Sequence, residues 1–174
     1  LLEFLPGTPS LTTLQAPTTD SVTAVWASSR SDVLAAAGTE VYRFDGRAWT
    51  PLLANSPQSL WFLWGPPGDV FAVGDVGTVL HFDGGSWAPM GTPTSETLNW
   101  VWGSSPTDVY AVGDVGTLLH FDGSQWAAVP TNVPGWLYGV WGSGPDDVFA
   151  VGEGAAVLHW NGQAWESLDT GTTA

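Results

Sequence analysis

A segment of nineteen residues occurs twice in this chain, almost unchanged. The sequence DVFAVGDVGTVLHFDGGSW spans residues 69–87, and DVYAVGDVGTLLHFDGSQW spans residues 108–126. More divergent copies lie on both sides, and one tryptophan of each copy marks the register: Trp26, Trp64, Trp102 and Trp141. A unit that recurs every 38 or 39 residues restricts the chain to a repeat architecture, because each unit must bury its apolar surface against its neighbours.

Each unit contains four short apolar segments separated by turn residues. In the third unit the segments are LNWVW, VYAVG, TLLHF and WAAVP, and the connectors between them are GSSPTD, DVG and DGSQ. The segments are rich in β-branched and aromatic residues and show no helical period, which indicates β-strands. Four strands in each unit of about 40 residues are typical of a β-propeller blade. We therefore predict an all-β propeller of four-stranded antiparallel blades.

The register predicts one propeller domain over residues 1–174. LLEF and LTTL near the N-terminus resemble the third and fourth segments of a unit, so we interpret residues 1–16 as the outer half of a blade. Four full blades are expected at residues 17–54, 55–92, 93–131 and 132–174. Uncovered blade faces would expose apolar surface. A four-bladed ring, a five-bladed ring with one thin blade, and completion by another chain, including a second copy in a homo-oligomer, are all open.

Composition limits the classes of partner. The 174 residues carry 17 Asp and Glu against three Arg and no Lys, a formal net charge of −14. Such a surface repels nucleic-acid phosphates and anionic membranes, and no apolar run reaches membrane-spanning length, so neither is expected as a partner. The absence of Cys excludes disulfides and thiolate metal sites. The chain opens at Leu1 without a Met or a basic segment, and we expect a processed or excised segment.

The stretch FAVGDVGTVLHFDGGSW at 71–87 resembles the bacterial neuraminidase, or Asp-box, class of propeller repeats. It is particularly similar to repeats of photosystem II assembly propellers, and VWGSSPTDVYAVG at 101–113 resembles repeats of bacterial surface and secreted proteins. The resemblance implies a propeller and an extracellular or cell-surface location in bacteria. It does not imply sialidase activity, which needs an arginine cluster around the substrate, because all three arginines lie in one repeat: Arg30, Arg43 and Arg47.

The motif departs from the Asp-box pattern at two positions. The Ser or Thr two residues before the Asp is replaced by Arg or His, and the fourth repeat has Asn for Asp: Arg43, His81, His120, His159 and Asn161. Equivalent histidines of neighbouring blades should lie on the order of 10 Å apart, too far to share a metal ion. We predict that they pack or hydrogen-bond beside the turn. The D-G and N-G pairs that follow predict hairpin turns.

Two further sets of aligned residues are expected to be structural. The acids that open the second strand should cap a turn: Asp32, Asp69, Asp108 and Asp147. They share one end of the blade with the D-G turns, which leaves room for a weak calcium site, although no D-x-D-x-D loop supports one, and no cofactor is predicted. The inner tryptophans and an outer set are predicted to pack between blades; the outer set is Trp49, Trp87, Trp126 and Trp165.

The positions at which the repeats differ are candidates for ligand binding. They lie where the first strand begins and in the turns between the second and third strands, which meet at one rim of a meander. Aromatic rings beside carboxylates suit a sugar ring. The alternative is that the aromatic residues fill the mouth of the channel or pad loops. We predict a site formed by seven residues: Trp61, Asn99, Trp136, Tyr138, Asp75, Asp114 and Glu153.

No catalytic motif is present in the sequence. It has no glycine-rich phosphate loop before a helix and no nucleophile elbow. We therefore expect a non-enzymatic binding module for a carbohydrate or another cell-surface ligand. The alternative is a protein-interaction or assembly scaffold, which the photosystem resemblance implies. A lectin should repeat one aromatic and polar set in several blades, whereas a scaffold should present one continuous patch that differs between blades.

Overall fold

The computed structural model describes residues 2–4, 11–13, 16–169 and 171, and the regular structure of these residues is β-strand throughout. Strands β1 (Leu2–Phe4) and β2 (Leu11–Thr13) pair as a separate antiparallel hairpin. The remainder of the predicted half blade lies outside the described residues. The other strands form four antiparallel sheets of four strands each, in sequence order. The predicted all-β propeller of four-stranded blades is confirmed.

The four blades follow one another along the chain. The first contains β3 (Val22–Ser29), β4 (Asp32–Ala37), β5 (Glu40–Phe44) and β6 (Trp49–Leu53). The second contains β7 (Leu60–Trp64), β8 (Val70–Gly74), β9 (Val79–Phe82) and β10 (Trp87–Met90). The third contains β11 (Leu98–Ser105), β12 (Asp108–Gly113), β13 (Leu118–Phe121) and β14 (Trp126–Ala128). The fourth contains β15 (Leu137–Gly144), β16 (Asp147–Gly152), β17 (Val157–Trp160) and β18 (Trp165–Ser167).

The first strand of each blade is the innermost. Strand β3 lies beside β7, β7 beside β11, and β11 beside β15. The first and fourth blades do not form a comparable contact among the described residues, so these blades make a row with two ends. No helix in the described part of the chain has the length and apolarity needed to cross a bilayer.

Each outer hairpin turn is held by a single Asp or Asn side chain, as the sequence predicts. The Asp83 carboxylate accepts the backbone N–H groups of Gly85 and Ser86 at 2.9 and 2.8 Å. These bonds, that of Ser86 first, lower the pKa of Asp83. In the fourth blade the Asn161 side-chain oxygen accepts two backbone N–H groups in the same way, at 3.0 Å each. An amide therefore replaces the carboxylate without loss of the turn.

The core lies between blades, because each sheet buries one face against the next sheet. Three clusters of buried apolar side chains fill the three junctions. Each cluster joins the second strand of one blade to the first strand of the next: Leu34 and Ala36 with Leu60 and Leu63, Phe71 and Val73 with Leu98 and Val101, and Tyr110 and Val112 with Leu137 and Val140.

The inner tryptophans close these junctions at one end. A Cβ added to Gly103 would lie 2.7 Å from the Trp64 ring of the preceding blade, and one added to Gly142 would lie 2.6 Å from Trp102. The predicted packing between blades is confirmed for these rings. Trp141 also meets Trp102 of the preceding blade at 6.4 Å, but it is 62% exposed, because no following blade covers the fourth one among the described residues. Three outer tryptophans also pack between blades, as predicted: Trp126 meets Phe71 of the second blade at 6.3 Å, Trp165 meets Tyr110 of the third blade at 5.7 Å, and Trp87 packs against the cluster between the first and second blades.

Candidate functional site

A β-bulge recurs at the beginning of every inner strand. The ladder between the first and second strands skips one residue, for example between Leu60 and Phe62 and between Leu98 and Trp100. A bulge leaves its extra residue unpaired and redirects the side chain. The skipped position carries a different residue in each repeat: Thr23, Trp61, Asn99 and Tyr138.

Three of these bulge residues bond to an acid in their own blade. The Trp61 indole N–H donates to the Asp75 carboxylate at 2.6 Å. The Asn99 amide donates to Asp114 at 3.0 Å, and the Tyr138 hydroxyl donates to Glu153 at 2.9 Å. Each acid opens the turn between the second and third strands. The structure therefore brings six of the seven predicted residues together as three pairs along one rim.

The seventh residue, Trp136, completes the fourth-blade part of this rim. Its backbone N–H donates to Glu153 at 3.2 Å, and its ring meets that of Tyr138 edge to face at 6.3 Å. Both rings are about half exposed. The hydrogen bond to Glu153 is the main cause that raises the pKa of Tyr138, so the phenol is neutral and remains a donor near neutral pH. This blade thus presents two aromatic edges beside one carboxylate.

Hydrogen bonds across blade boundaries hold the rim in place. Asn99 also donates to the backbone oxygen of Leu137 in the next blade at 3.1 Å. In the first blade Thr23 donates to the backbone oxygen of Leu60 at 2.6 Å. Such cross-links fix the relative position of neighbouring blades. A ligand that binds the rim therefore meets a surface that is largely pre-organised.

Two exposed valines at the rim were not found by the sequence reasoning. Val76 and Val115 occupy the DVG turns with φ of 54° and 53°, and both are exposed. Positive φ is unfavourable for a β-branched residue, and strained positions of this kind cluster at functional sites. The signal was present in the sequence, because DVG places Val where a two-residue hairpin loop prefers Asn or Gly.

Trp100 is a further rim aromatic that the sequence reasoning missed. Its ring stacks on Phe62 of the preceding blade with centroids 3.7 Å apart, yet more than a third of the residue stays exposed. Trp100 follows the bulge directly and lies two residues before Trp102. The other repeats have Ala24, Phe62 and Gly139 at this position, and that difference was the available signal.

The opposite end of each blade carries a repeated network centred on an Asp. Asp108 accepts the Ser104 hydroxyl on one oxygen, and its other oxygen lies 2.7 Å from His120 Nε2. Ser143, Asp147 and His159 repeat the arrangement. The Ser143 hydroxyl, and then His159, lower the pKa of Asp147. The predicted hydrogen-bonding role of these histidines is confirmed.

This network does not have the order of a catalytic relay. In a Ser–His–Asp triad the imidazole lies between the other two groups and takes the serine proton. Here the Asp lies between Ser and His, so the hydroxyl donates to the carboxylate and not to the imidazole. In the first blade Arg43 replaces His and donates to Asp32 at 2.8 Å. Within the described residues, no three metal-ligand side chains are grouped so as to hold an ion.

Comparison with protein-family models and with curated proteins finds no match. Solved structures do match. A structure of YCF48 bound to D1 peptide has a TM-score of 0.67 and 20% identity, over 92% of this chain and 56% of that one. The RRP9 WD40 repeats have a TM-score of 0.73 and 12% identity, over 91% of this chain and 56% of theirs. The computationally designed Ika4 protein has a TM-score of 0.68 and 16% identity, over 84% of this chain and 95% of its own.

These similarities define the class of this chain as a β-propeller repeat protein. At identities of 20% or less, these matches support the fold only, and the function has to be argued from the site. The likeness to YCF48 and to WD40 repeats agrees with the propeller predicted from the sequence, whereas none of the three matches identifies an Asp-box repeat. The chain spans little more than half the length of the YCF48 and WD40 structures it matches.

Proposed function

We propose that this chain is a non-enzymatic protein-interaction module whose rim binds an extended peptide with cationic and apolar side chains. The observation that carries the proposal is the composition of the rim. Half-exposed rings and valines alternate there with three carboxylates: Asp75, Asp114 and Glu153. Aromatic residues supply binding energy at interfaces, and carboxylates select cationic groups.

The charge distribution favours a cationic ligand. All three arginines follow β3 or lie on β5 and its turn to β6, at the end of the first blade away from the rim: Arg30, Arg43 and Arg47. The rim therefore has no positive side chain to offset its carboxylates, and the whole chain carries −14. The YCF48 structure with a bound D1 peptide supports the proposal by analogy of fold.

The rim differs from blade to blade, which favours a peptide over a carbohydrate. Its pairs are Trp with Asp, Asn with Asp and Tyr with Glu, and the first blade has Thr bonded to backbone. A repeated sugar subsite would keep one set of groups. An extracellular bacterial location remains part of the proposal and is supported only by the resemblance of the repeats.

Fluorescence anisotropy with two labelled peptides of equal length tests the proposal. Both contain Trp and Leu, and one carries Arg and Lys where the other carries Asp and Glu. We expect the wild type to bind only the basic peptide, and Trp61→Ala to weaken that binding about tenfold. Asp114→Asn should also weaken it, because it removes a rim charge and keeps the acceptor for Asn99.

Asp122→Asn is the matched control. It removes the same charge from the same blade at the opposite end, and the fourth blade shows that Asn supports this turn. We expect its affinity to stay within about twofold of the wild type. Equal weakening by both variants would mean that net charge, and not the rim, attracts the peptide. Failure of both peptides, with glycan-array binding that Trp61→Ala abolishes, would establish the carbohydrate reading instead.

A further inference from the structure

The outer hairpin of the fourth blade departs from the repeat at four positions that meet at the end of the blade opposite the rim. Its turn begins with the only Asn of the chain that precedes a Gly. The other departures are an acid in the loop between β15 and β16, a tryptophan at the end of β17 and an acid on β18. The four residues are Asp146, Trp160, Asn161 and Glu166, and their equivalents in the third blade are Thr107, Phe121, Asp122 and Ala127.

The turn stabilises negative charge on the side-chain oxygen of its first residue. Asn161 Oδ1 accepts the backbone N–H groups of Gln163 and Ala164 at 3.0 Å each. In the first blade the N–H groups at the same two positions, that of Ala48 before that of Arg47, lower the pKa of Asp45. Donors placed in this way would equally hold the oxyanion that forms when a nucleophile attacks the amide carbon of Asn161.

Gly162 follows Asn161 and supplies a backbone nitrogen that can close a ring on the side-chain amide. It has no side chain to obstruct that approach, and its N–H forms no hydrogen bond with the part of the chain that the structure describes. A carboxylate lies beside it, because a Cβ added to Gly162 would be 3.0 Å from Asp146 Oδ1. The residues that face this glycine in the other blades are not acids: Ser31, Gly68 and Thr107.

Two further contacts position these groups. The Trp160 indole N–H donates to the backbone oxygen of Pro145 at 3.1 Å, which fastens the loop that carries Asp146 to the hairpin. The phenylalanines at this position in the other blades have no N–H to form that bond. The Asn161 amide nitrogen donates to Glu166 Oε1 at 3.1 Å, which orients the amide with its oxygen toward the two backbone donors.

We propose that Asn161 is a self-modification site, at which the Gly162 nitrogen displaces the side-chain amide as ammonia and water then leaves Asp or isoaspartate. Asp146 takes the proton of the Gly162 N–H while the bond from that nitrogen to Cγ forms. When the oxyanion collapses, the bond from Cγ to Nδ2 breaks, and the proton held by Asp146 leaves with the nitrogen as ammonia. Water opens the resulting succinimide at either carbonyl, so both products form. This inference does not depend on the proposed peptide site.

Peptide mapping by mass spectrometry during incubation at neutral pH tests the proposal. The variant Asp122→Asn provides a control within one molecule, because it puts an Asn–Gly pair into the same turn of the third blade, where the three supporting residues are absent. We expect the amide of Asn161 to be lost about tenfold faster than the amide at position 122. In urea the two rates should nearly converge, because unfolding separates Asn161 from its supporting residues.

Asp146→Asn should slow the loss at Asn161 about tenfold, because it keeps the size of the side chain and removes the base. It should also change the pH profile. With a carboxylate as the base the rate should vary little between about pH 6 and pH 8, whereas without it the rate should follow hydroxide, about tenfold for each pH unit. Trp160→Phe should slow the reaction less. Thr107→Asp, added to Asp122→Asn, should speed the loss at position 122.

Circular dichroism of each variant establishes that the chain is folded. Equal rates at the two positions of the folded chain would overturn the proposal, as would an unchanged rate and pH profile in Asp146→Asn. Retention of the Asn161 amide over several weeks would have the same meaning. A product that contains Asp without isoaspartate would show direct hydrolysis by water in place of attack by Gly162, and that result would also overturn the proposal.

Discussion

At the scale of single residues, the rim contains two valines that have a strained backbone conformation and an exposed side chain. Val76 and Val115 hold left-handed backbone conformations at the tips of two turns and present their side chains to solvent. A left-handed conformation costs an ordinary residue about 1–2 kcal/mol, and an exposed valine recovers little of that through burial. The turn therefore retains an unfavourable residue whose apolar tip is free to contact a ligand.

Replacing Val76 with Asn should stabilise the protein and weaken ligand binding. Asn tolerates positive φ, and Asn-Gly is a preferred pair for such a two-residue loop. We expect the free energy of unfolding to rise by about 1 kcal/mol, seen as an increase of roughly 2–4 °C in Tm by scanning calorimetry. Val115→Asn lies in another blade and should add a similar increment. A lower Tm for either variant would contradict the assigned strain.

At the scale of strands and turns, the sequence was most informative where a short segment determines its own structure. The alternation of apolar segments with D-G and N-G pairs predicted the strands and the outer hairpins. The bulge before Phe62 and Trp100 could not be predicted, because it depends on the register between two strands. The candidate rim residues were predicted from their variation between repeats, while Trp100 was missed because its exposure depends on how Phe62 of another blade supports it.

The contact between an inner tryptophan and the next strand makes Gly103 intolerant of a side chain. A methyl group there would meet the Trp64 ring at 2.7 Å and the backbone oxygen of Asp108 at 2.5 Å. Because backbone cannot rotate away, we expect Gly103→Ala to cost about 1–3 kcal/mol, measured by urea unfolding. Gly144→Ala is the control, since no atom lies within 4 Å of its added Cβ. Similar losses in both variants would show that backbone flexibility, and not the tryptophan contact, is responsible.

At the scale of the whole molecule, the blades are alike in sequence but differ in what covers them. Strand β12, DVYAVG, and strand β16, DVFAVG, differ at one residue and have the same place in their sheets. Val112 is fully buried and Val151 is 45% exposed. In a repeat protein, stability is the sum of a term for each repeat and a term for each junction. Blades with junctions on both sides should therefore be more stable than the fourth blade.

Hydrogen exchange measured by mass spectrometry tests this difference within a single sample. Backbone amides of residues 108–113 should exchange about tenfold more slowly than those of residues 147–152 at about 1 μM protein, although their intrinsic rates are nearly equal. Equal protection of the two strands in the dilute wild type would mean that each sheet, and not the junction between sheets, sets local stability.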